Sequence, residues 1–249
     1  MTNIVICGAN GKMGKTIVNC VAERSNCKVV AGIDINTTQY GDFPIYSSPK
    51  DLSENPDVII DYSNPNTLDG LLEHCLVTGT AVVLATTGYN DEQIAKIKKA
   101  SEQIPVFFTF NMSLGINLLV GLAQKAASIL GDRFDVEIIE KHHNLKIDAP
   151  SGTALMLANA INEVYDNSLQ FVYDRHSQRK KRDKKEIGIH AVRGGTIVGE
   201  HEVIFAGNDE VISISHSATS KTVFAEGSIN AAVYLKGKQA GLYDMSSLI

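Results

Sequence analysis

The chain has 249 residues, enough for one large domain or two modest ones with a substantial core. Hydrophobic residues make up 44% and charged residues 20%, which excludes a disordered, collagen-like or coiled-coil chain. The net charge of −5 argues against a general polyanion binder.

The opening MTNIVICGANG runs directly into an apolar strand pattern, with no basic n-region or long apolar h-region of a secretory signal. No apolar stretch is read as approaching membrane-spanning length. Cys7, Cys20, Cys27 and Cys75 have no paired short spacing that would suggest zinc, and their apolar surroundings fit reduced, buried thiols. The expectation is a soluble cytoplasmic protein with neither nucleic acid nor a membrane as partner.

In chain order, Asn3–Cys7 reads as a buried strand, followed by a helix to about Arg24 and a second strand over Lys28–Asp34. Asp57–Asp61 is a third strand and Pro65–Thr78 a helix. Ala81–Ala85 is a strand, Asp91–Gln103 a helix, and IPVFFTF a strand ending near Phe110. Strands alternating with helices imply right-handed crossovers and a doubly wound parallel sheet of Rossmann type. The pattern then changes. Leu114–Leu130 is a long apolar helix, Asp135–Lys141 alternates as a strand, and Ser151–Tyr165 has helical periodicity. Gly188–Arg193, Thr196–Phe205 and Glu210–His216 are successive strands, as in an α+β domain with a mixed sheet. Lys221–Lys236 returns to helix and is expected to pack back on the first domain. The domains are therefore placed at residues 1–113 with 221–249, and at residues 114–220. Between the latter's helix and its strands lies RHSQRKKRDKK (175–185), read as a solvated basic loop because no aromatic residues interleave for base stacking.

Gly8, Gly11 and Gly14 follow the first strand and open a helix, as G-x-x-G-x-x-G with Asn10 at the middle glycine position of the commoner pattern. Such a turn presents backbone N–H groups and a helix dipole to a pyrophosphate. Asp34, at the end of the second strand, stands where a carboxylate accepts hydrogen bonds from the adenosine ribose. It would repel a 2′-phosphate, and Ile35-Asn36 supplies no cation, although Lys12 could reach over. NADH is the expected cofactor, with NADPH left open. Asp61-Tyr62-Ser63, Ala85-Thr86-Thr87-Gly88 and Thr109-Phe110-Asn111-Met112 end other parallel strands and are candidates to line the same crevice.

EKHHNLKIDAPSGTA (140–154) admits four chemistries: a metal site, a nucleophile, acid–base catalysis or anion binding. Adjacent histidines point apart and Lys146 would repel a cation, which disfavours metal, although Asp148, His190, His201 or His216 could contribute ligands. Ser151 lacks a G-x-S-x-G elbow and reads as an N-cap. Three potentially cationic side chains beside a helix start form an electropositive pocket. Lys146 and the Gly152-Thr153 backbone could hold carboxylates there while a histidine acts as general acid.

GANGKMG, ATTGYN (85–90), FNMSLGIN (110–117), EIIEKHHNLKIDAPSGTA (137–154), VRGGTIVGEHEVIFAG (192–207) and GLYDM (241–245) closely resemble the 4-hydroxy-tetrahydrodipicolinate reductase (dihydrodipicolinate reductase) family of lysine and diaminopimelate biosynthesis. The resemblance implies a cofactor domain and a second domain that binds a small cyclic imine dicarboxylate and builds a homotetramer. It implies His142 as proton donor and acceptor, Lys146 as proton donor, and His143, Gly152 and Thr153 as substrate-binding residues. Implied cofactor contacts are Gly8, Ala9, Asn10, Gly11, Lys12, Met13, Asp34, Ala85, Thr86, Thr87, Thr109, Phe110, Asn111 and Met112. Ala85 stands where many members have glycine. Ile35 replaces an arginine that in some members favours the phosphorylated cofactor. Two other readings stay open, a reductase of a different carboxylate and a sensor that binds NADH without consuming it.

Overall fold

The central strands of the first sheet are short apolar runs buried on both faces, because successive residues alternate between two cores. A computed structural model describes residues 1–248. In chain order the elements are β1 (Thr2–Cys7), α1 (Lys12–Ala22), β2 (Cys27–Ile33), β3 (Ile45–Tyr46), β4 (Val58–Asp61), α2 (Leu68–Thr78), β5 (Ala81–Leu84), α3 (Asp91–Ala100) and β6 (Pro105–Phe108). They continue as α4 (Leu114–Leu130), β7 (Asp135–His142), α5 (Gly152–Val164), β8 (Gln170–Val172), β9 (Glu186–Arg193), β10 (Gly199–Ala206) and β11 (Val211–Ala218). The chain ends through α6 (Thr222–Leu235) and β12 (Gly241–Tyr243). Contacts divide it into two units, Met1–Ser113 with the segment from Lys221 onward, and Leu114–Ser220.

In the first unit all strand pairs are parallel, in the order β12-β6-β5-β4-β1-β2-β3. Ile4, Ile6, Ile60, Val83 and Phe107 face one side, where Ile17 of α1 and Ile229 and Leu235 of α6 cover them. Val5, Ile59, Val82, Leu84 and Val106 face the other, against Leu68, Leu71 and Leu72 of α2 and Ile97 of α3. Each fully buried Ile, Leu or Phe contributes about 1.5–3 kcal/mol relative to exposure. α3 starts cleanly because Asn90 and Gln93 form a reciprocal capping box. A sheet of this kind presents its loops at the carboxyl edge, so the segments after β1, β2, β4, β5 and β6 share one rim.

In the second unit the order is β11-β10-β7-β9-β8, antiparallel at β11/β10 and β10/β7 and parallel at β7/β9 and β9/β8. β7 alternates strictly, so Val136, Ile138, Glu140 and His142 are buried on one face. α4 and α5 cover that sheet through Ile116, Leu119, Ala123, Leu157 and Ile161.

The fold class is the one expected, with several differences in detail. α3 ends at Ala100, β6 at Phe108, and β10 begins at Gly199, because Gly195 (φ 49°) turns the chain before it. β3, β8 and β12 are two or three residues long, too short for alternation to register. The expectation about membrane-spanning length fails for Leu114–Arg133, twenty residues that are long and apolar enough by length and composition alone. Packing accounts for part of its apolar character, since Ile116, Leu119, Ala123 and Ala127 face the core of the second unit, while Leu114, Leu118, Leu122 and Ile129 are exposed.

The basic loop is mostly exposed, as expected, but Arg175, Lys180, Arg182 and Lys184 pair with acids of its own sheet. Arg175 bridges Glu137 (2.6 Å) and Glu186 (2.8 Å). Arg182 donates to Glu137 Oε1 (2.9 Å), Asp135 Oδ1 (3.1 Å) and the carbonyls of Val136 (3.0 Å) and Glu186 (2.6 Å). The loop is pinned to acids at the start of β7 and β9 of its own sheet.

Candidate active site

The glycine loop is held in one shape by contacts that only glycine permits. Gly8 has φ 80°, and a Cβ there would lie 2.6 Å from the Tyr62 carbonyl oxygen. A Cβ on Gly14 would lie 2.3 Å from the Gly8 carbonyl oxygen. Gly11 is the N-cap of α1, no side chain caps the helix, and its first turn carries no acid. The loop's own N–H groups are taken, those of Gly8 and Ala9 by the Ile33 carbonyl and that of Gly11 by the Gly8 carbonyl, so what suits a phosphate is the uncapped start of α1 with its dipole. Lys12 is exposed and Met13 packs partly into the core. Ala9 is buried, its carbonyl accepting from Tyr40 Oη at 2.7 Å.

Asp34 has a second task beyond the one expected from sequence. Its Oδ2 accepts the Asn10 N–H (2.9 Å) and its Oδ1 the Asn36 N–H (2.9 Å). Asn10 in turn donates through Nδ2 to the carbonyls of Asn36 (2.5 Å) and Thr38 (3.1 Å). The residue that replaces a glycine thus ties the loop to the end of β2. A carboxylate accepts about four hydrogen bonds, so Asp34 keeps capacity for a ligand. Beside it lies a cavity of about 300 Å³ lined by Gly8, Gly11, Ile35, Tyr62 and Ser63 among others, with no Lys or Arg in its lining.

The loops after β4, β5 and β6 come to the same rim. Asp61 is fully buried and accepts from Thr86 Oγ1 (2.7 Å), Tyr89 Oη (3.0 Å), the Ser63 N–H (3.1 Å) and the Ser63 hydroxyl. It thereby knots the β4 and β5 loops together. Ala85 and Thr86 are buried, whereas Thr87 and Phe110 are exposed. Thr109 Oγ1 accepts the Asn111 N–H (3.3 Å), and Asn111 Oδ1 accepts the Ser113 N–H (2.8 Å). Met112, expected as a cofactor contact, has its side chain in the core shared with α6.

In the second unit, β7 delivers Glu140 and His142 to one buried face. Glu140 is fully buried, with Oε2 2.7 Å from His142 Nδ1 and both oxygens 2.7 Å from the Arg193 guanidinium. Its Oε1 also accepts the Ser151 N–H at 2.9 Å. Burial would raise the Glu140 carboxyl, but hydrogen bonds from Arg193, His142 and Ser151 outweigh it and hold the group below its ordinary range. Burial pushes His142 down, and Lys146 and Arg193 push it further, against the opposite pull of Glu140. The His201 ring lies edge-on to His142 at 5.2 Å, and its Nε2 is 3.1 Å from Ser151 Oγ. Burial drives His201 down to about 3, so it is neutral at working pH.

Lys146 pairs with Asp148 at 2.8 Å, and this pairing outweighs burial to keep the Asp148 carboxyl low. The Lys146 N–H returns to the His143 carbonyl at 3.1 Å, making one tight turn of the H-H-x-x-K segment. Ser151 caps α5 by accepting the Ala154 N–H at 3.2 Å, so the expected N-cap is present. Gly152 opens the helix exposed, Thr153 follows half-buried, and no acid sits in the first turn. His143 Nδ1 is buried without a hydrogen-bond partner. Among the described residues no group of three His, Cys, Asp or Glu side chains is arranged to hold a metal ion.

One unit thus carries a glycine turn and an uncapped helix start at its rim, and the other a buried carboxylate held by a histidine and a guanidinium beside a second helix start. The family model described as dihydrodipicolinate reductase, N-terminus, matches residues 2–112, and that described as dihydrodipicolinate reductase, C-terminus, matches residues 115–249. The chain belongs to the dihydrodipicolinate reductase family. It is 50% identical to the 4-hydroxy-tetrahydrodipicolinate reductase of Caldanaerobacter subterraneus subsp. tengcongensis, over 100% of this chain and 98% of that one. The enzyme of the same name from Clostridium tetani is 44% identical over 100% and 97%. The solved structure of a dipicolinate-bound dihydrodipicolinate reductase from Paenisporosarcina sp. TG-14 superimposes with a TM-score of 0.81, at 26% identity over the whole of both chains. The chain is an oxidoreductase with the family's activity, 4-hydroxy-tetrahydrodipicolinate reduction, a step in lysine and diaminopimelate biosynthesis.

Three contributors are absent from the residue set expected from sequence. Glu140 was legible in principle, since an E-x-H pair on a strand places both side chains on one face. Arg193 and His201 lie more than 50 residues away in sequence from Glu140 and carry no local signal; only the β7/β9 and β7/β10 pairings bring them in.

Proposed function

We propose that His142 exchanges the proton in this reduction, that Lys146 is a second proton donor, and that His143, Gly152 and Thr153 hold the carboxylates of a small cyclic imine dicarboxylate. The observation that carries this reading is the start of α5. A helix whose first turn carries no acid, opening on the exposed Gly152, lies in the same short segment as Lys146, paired with Asp148, and the unsatisfied His143 Nδ1. A buried polar atom without a partner costs about 1–3 kcal/mol, and a bound carboxylate would relieve it by accepting from a protonated Nδ1. The lowered His142 keeps a neutral acceptor form available near working pH, so it can both give and regain a proton. Dipicolinate, bound in the Paenisporosarcina relative, has the dicarboxylate chemistry this pocket suits.

The Met1–Ser113 unit, with the segment from Lys221 onward, is the dinucleotide-binding unit in this reading, and the Leu114–Ser220 unit the substrate-binding and tetramer-forming one. Gly8 to Met13 hold the pyrophosphate of a nicotinamide dinucleotide, and Asp34 the ribose. When bound, the cofactor supplies the hydride. The residues 85–87 and 109–112 line its path along the rim. NADH is favoured over NADPH because the cavity beside Asp34 carries this carboxylate and no cation, with Ile35 exposed next to it. The protein acts in the cytoplasm as a homotetramer built through the five-stranded sheet, a role that the exposed Val211 and Ile212 on its edge strand support.

The test is steady-state kinetics of His142→Ala and Lys146→Ala with either nicotinamide cofactor. Each variant is expected to lose roughly 10²–10⁴-fold in kcat, the range of general acid–base catalysis, with NADH affinity unchanged. Parental turnover in both would overturn the assignment. A kcat/KM ratio strongly favouring NADPH would overturn the cofactor choice, and sedimentation as a monomer the oligomer.

A further inference from the structure

We propose that Glu140 is the positioning residue of the reaction. It fixes His142 with the proton on Nδ1 and leaves Nε2 to exchange protons with substrate, and it locks that ring to the helix start that holds the substrate carboxylates. The inference rests on the reading of His142 as the proton-exchanging group.

The argument begins with what a carboxylate can do. Ionised, it only accepts, at about four sites on two oxygens. All four sites of Glu140 are occupied: Oε2 by His142 Nδ1 and Arg193 Nη1, Oε1 by Arg193 Nη2 and the Ser151 N–H. Every partner must therefore donate. For His142 this requires the proton on Nδ1, and its neutral form then carries the free pair on Nε2. Protonating Glu140 instead would turn one accepting site into a donor facing a donor, at a site with no exposure to water.

Arg193 decides what kind of positioning this is. A buried carboxylate alone beside an imidazole would hold it charged. The bidentate guanidinium, anchored in turn on the carbonyls of Asp148 (2.6 Å) and Val192 (2.7 Å), cancels that charge while leaving the hydrogen bond intact. The groups that face His142 are Glu140 on its own strand, Lys146 with its partner Asp148 on the following loop, Arg193 on β9 and His201 on β10. Their sum leaves the ring oriented yet not permanently protonated. Gly199 completes the setting: a Cβ there would lie 3.1 Å from His142 Nε2, so glycine keeps space at the exchanging nitrogen.

The second arm of Glu140 gives the carboxylate a role no local sequence pattern reveals. Ser151 precedes Gly152 and Thr153, so the bond to its N–H ties the ring to the start of α5 through a single side chain. A shift of about 1 Å in such a relation can cost 10²-fold in rate.

The experiment combines histidine ¹⁵N NMR of the unaltered full-length protein with kinetics of Glu140→Gln, His142→Ala and the double variant. His142→Ala supplies the assignment. In the parent, above the His142 pKa, Nδ1 is expected in the protonated range and Nε2 in the unprotonated range. Glu140→Gln is expected to lose this fixed tautomer, to lower kcat at least about tenfold but by no more than the roughly 10²–10⁴-fold of general acid–base catalysis, and to shift the limb of the kcat–pH profile that reports His142. NADH affinity should be unchanged, and the double variant no slower than His142→Ala alone, because Glu140 acts through His142. A merely structural residue would add its cost in the double variant and leave the pH profile in place. An Nε2-protonated tautomer in the parent, a parental profile in Glu140→Gln, or additive losses would each overturn the inference. Should Glu140→Gln not fold, the parental spectrum alone decides. Should His142→Ala turn over normally, the assignment of His142 fails instead, and the spectrum still reports on Glu140.

Discussion

Replacing Gly8 by alanine separates the two sites by a quantity that follows from the backbone. At φ 80° a residue with a Cβ costs about 1–2 kcal/mol. The added carbon would also stand 2.6 Å from the Tyr62 carbonyl oxygen, 2.9 Å from its carbon and 3.1 Å from Ser63 Cα. That wall cannot simply retreat, because the Tyr62 N–H is bonded to the Cys7 carbonyl at 3.0 Å, and Asp61 holds Ser63. Overpacking of this kind costs about 1–3 kcal/mol. The loop therefore leaves its native shape unless about 2–5 kcal/mol is supplied, and a cofactor that needs that shape must supply it on binding. At about 1.4 kcal/mol per decade, the lower bound already predicts a Kd for NADH roughly 30-fold weaker. Fluorescence titration measures this, with thermal unfolding to establish that the variant is folded. Binding of dipicolinate, followed by calorimetry, is expected to be unchanged, since His143, Lys146 and the α5 start belong to the other unit. NADH binding within about threefold of the parent, in a folded variant, would falsify the account of the loop; equal losses for both ligands would show general destabilisation instead.

His201 makes stability depend on pH in a direction that can be worked out. Its folded pKa, about 3, lies below the unfolded value near 6.5, so between these pH values the unfolded chain binds more protons. Stability is complete above about pH 6.5 and falls by about 1.4 kcal/mol per unit as pH drops, reaching a loss of about 2 kcal/mol at pH 5. Urea unfolding across this window should show a slope in the parent steeper by about 1.4 kcal/mol per unit than in His201→Gln, where the lowered His142 still contributes, and parallel curves would refute it. Arg182→Ala should release the loop over residues 175–185, with a loss of about 1–3 kcal/mol from hydrogen bonds to charged groups. Trypsin should then cut at Arg179 to Lys181 at least about tenfold faster, and an unchanged rate would show that the loop is held without Arg182.

The sequence alone carried the parallel sheet, because fully buried strands such as Ala81–Leu84 are apolar throughout, and the alternating β7, because one of its faces is core. It also carried the glycine loop, whose spacing is a direct image of a turn that rejects Cβ atoms, and the H-H-x-x-K segment that runs into an open helix start. In each case the physical cause is local, acting within about a dozen residues. What only the tertiary structure decided is the electrostatics. Glu140 becomes the partner of His142 through strand alternation, but its neutralisation by Arg193 and the neutral His201 alongside depend on pairings of β7 with β9 and β10. Likewise Asp34 turns out to brace Asn10, and Arg182 to answer the acids of β7 rather than solvent. Hydrophobic periodicity is written along the chain because burial repeats with the backbone. The state of a proton is set by whichever charges the fold brings within a few ångströms, and the order of residues does not record that distance.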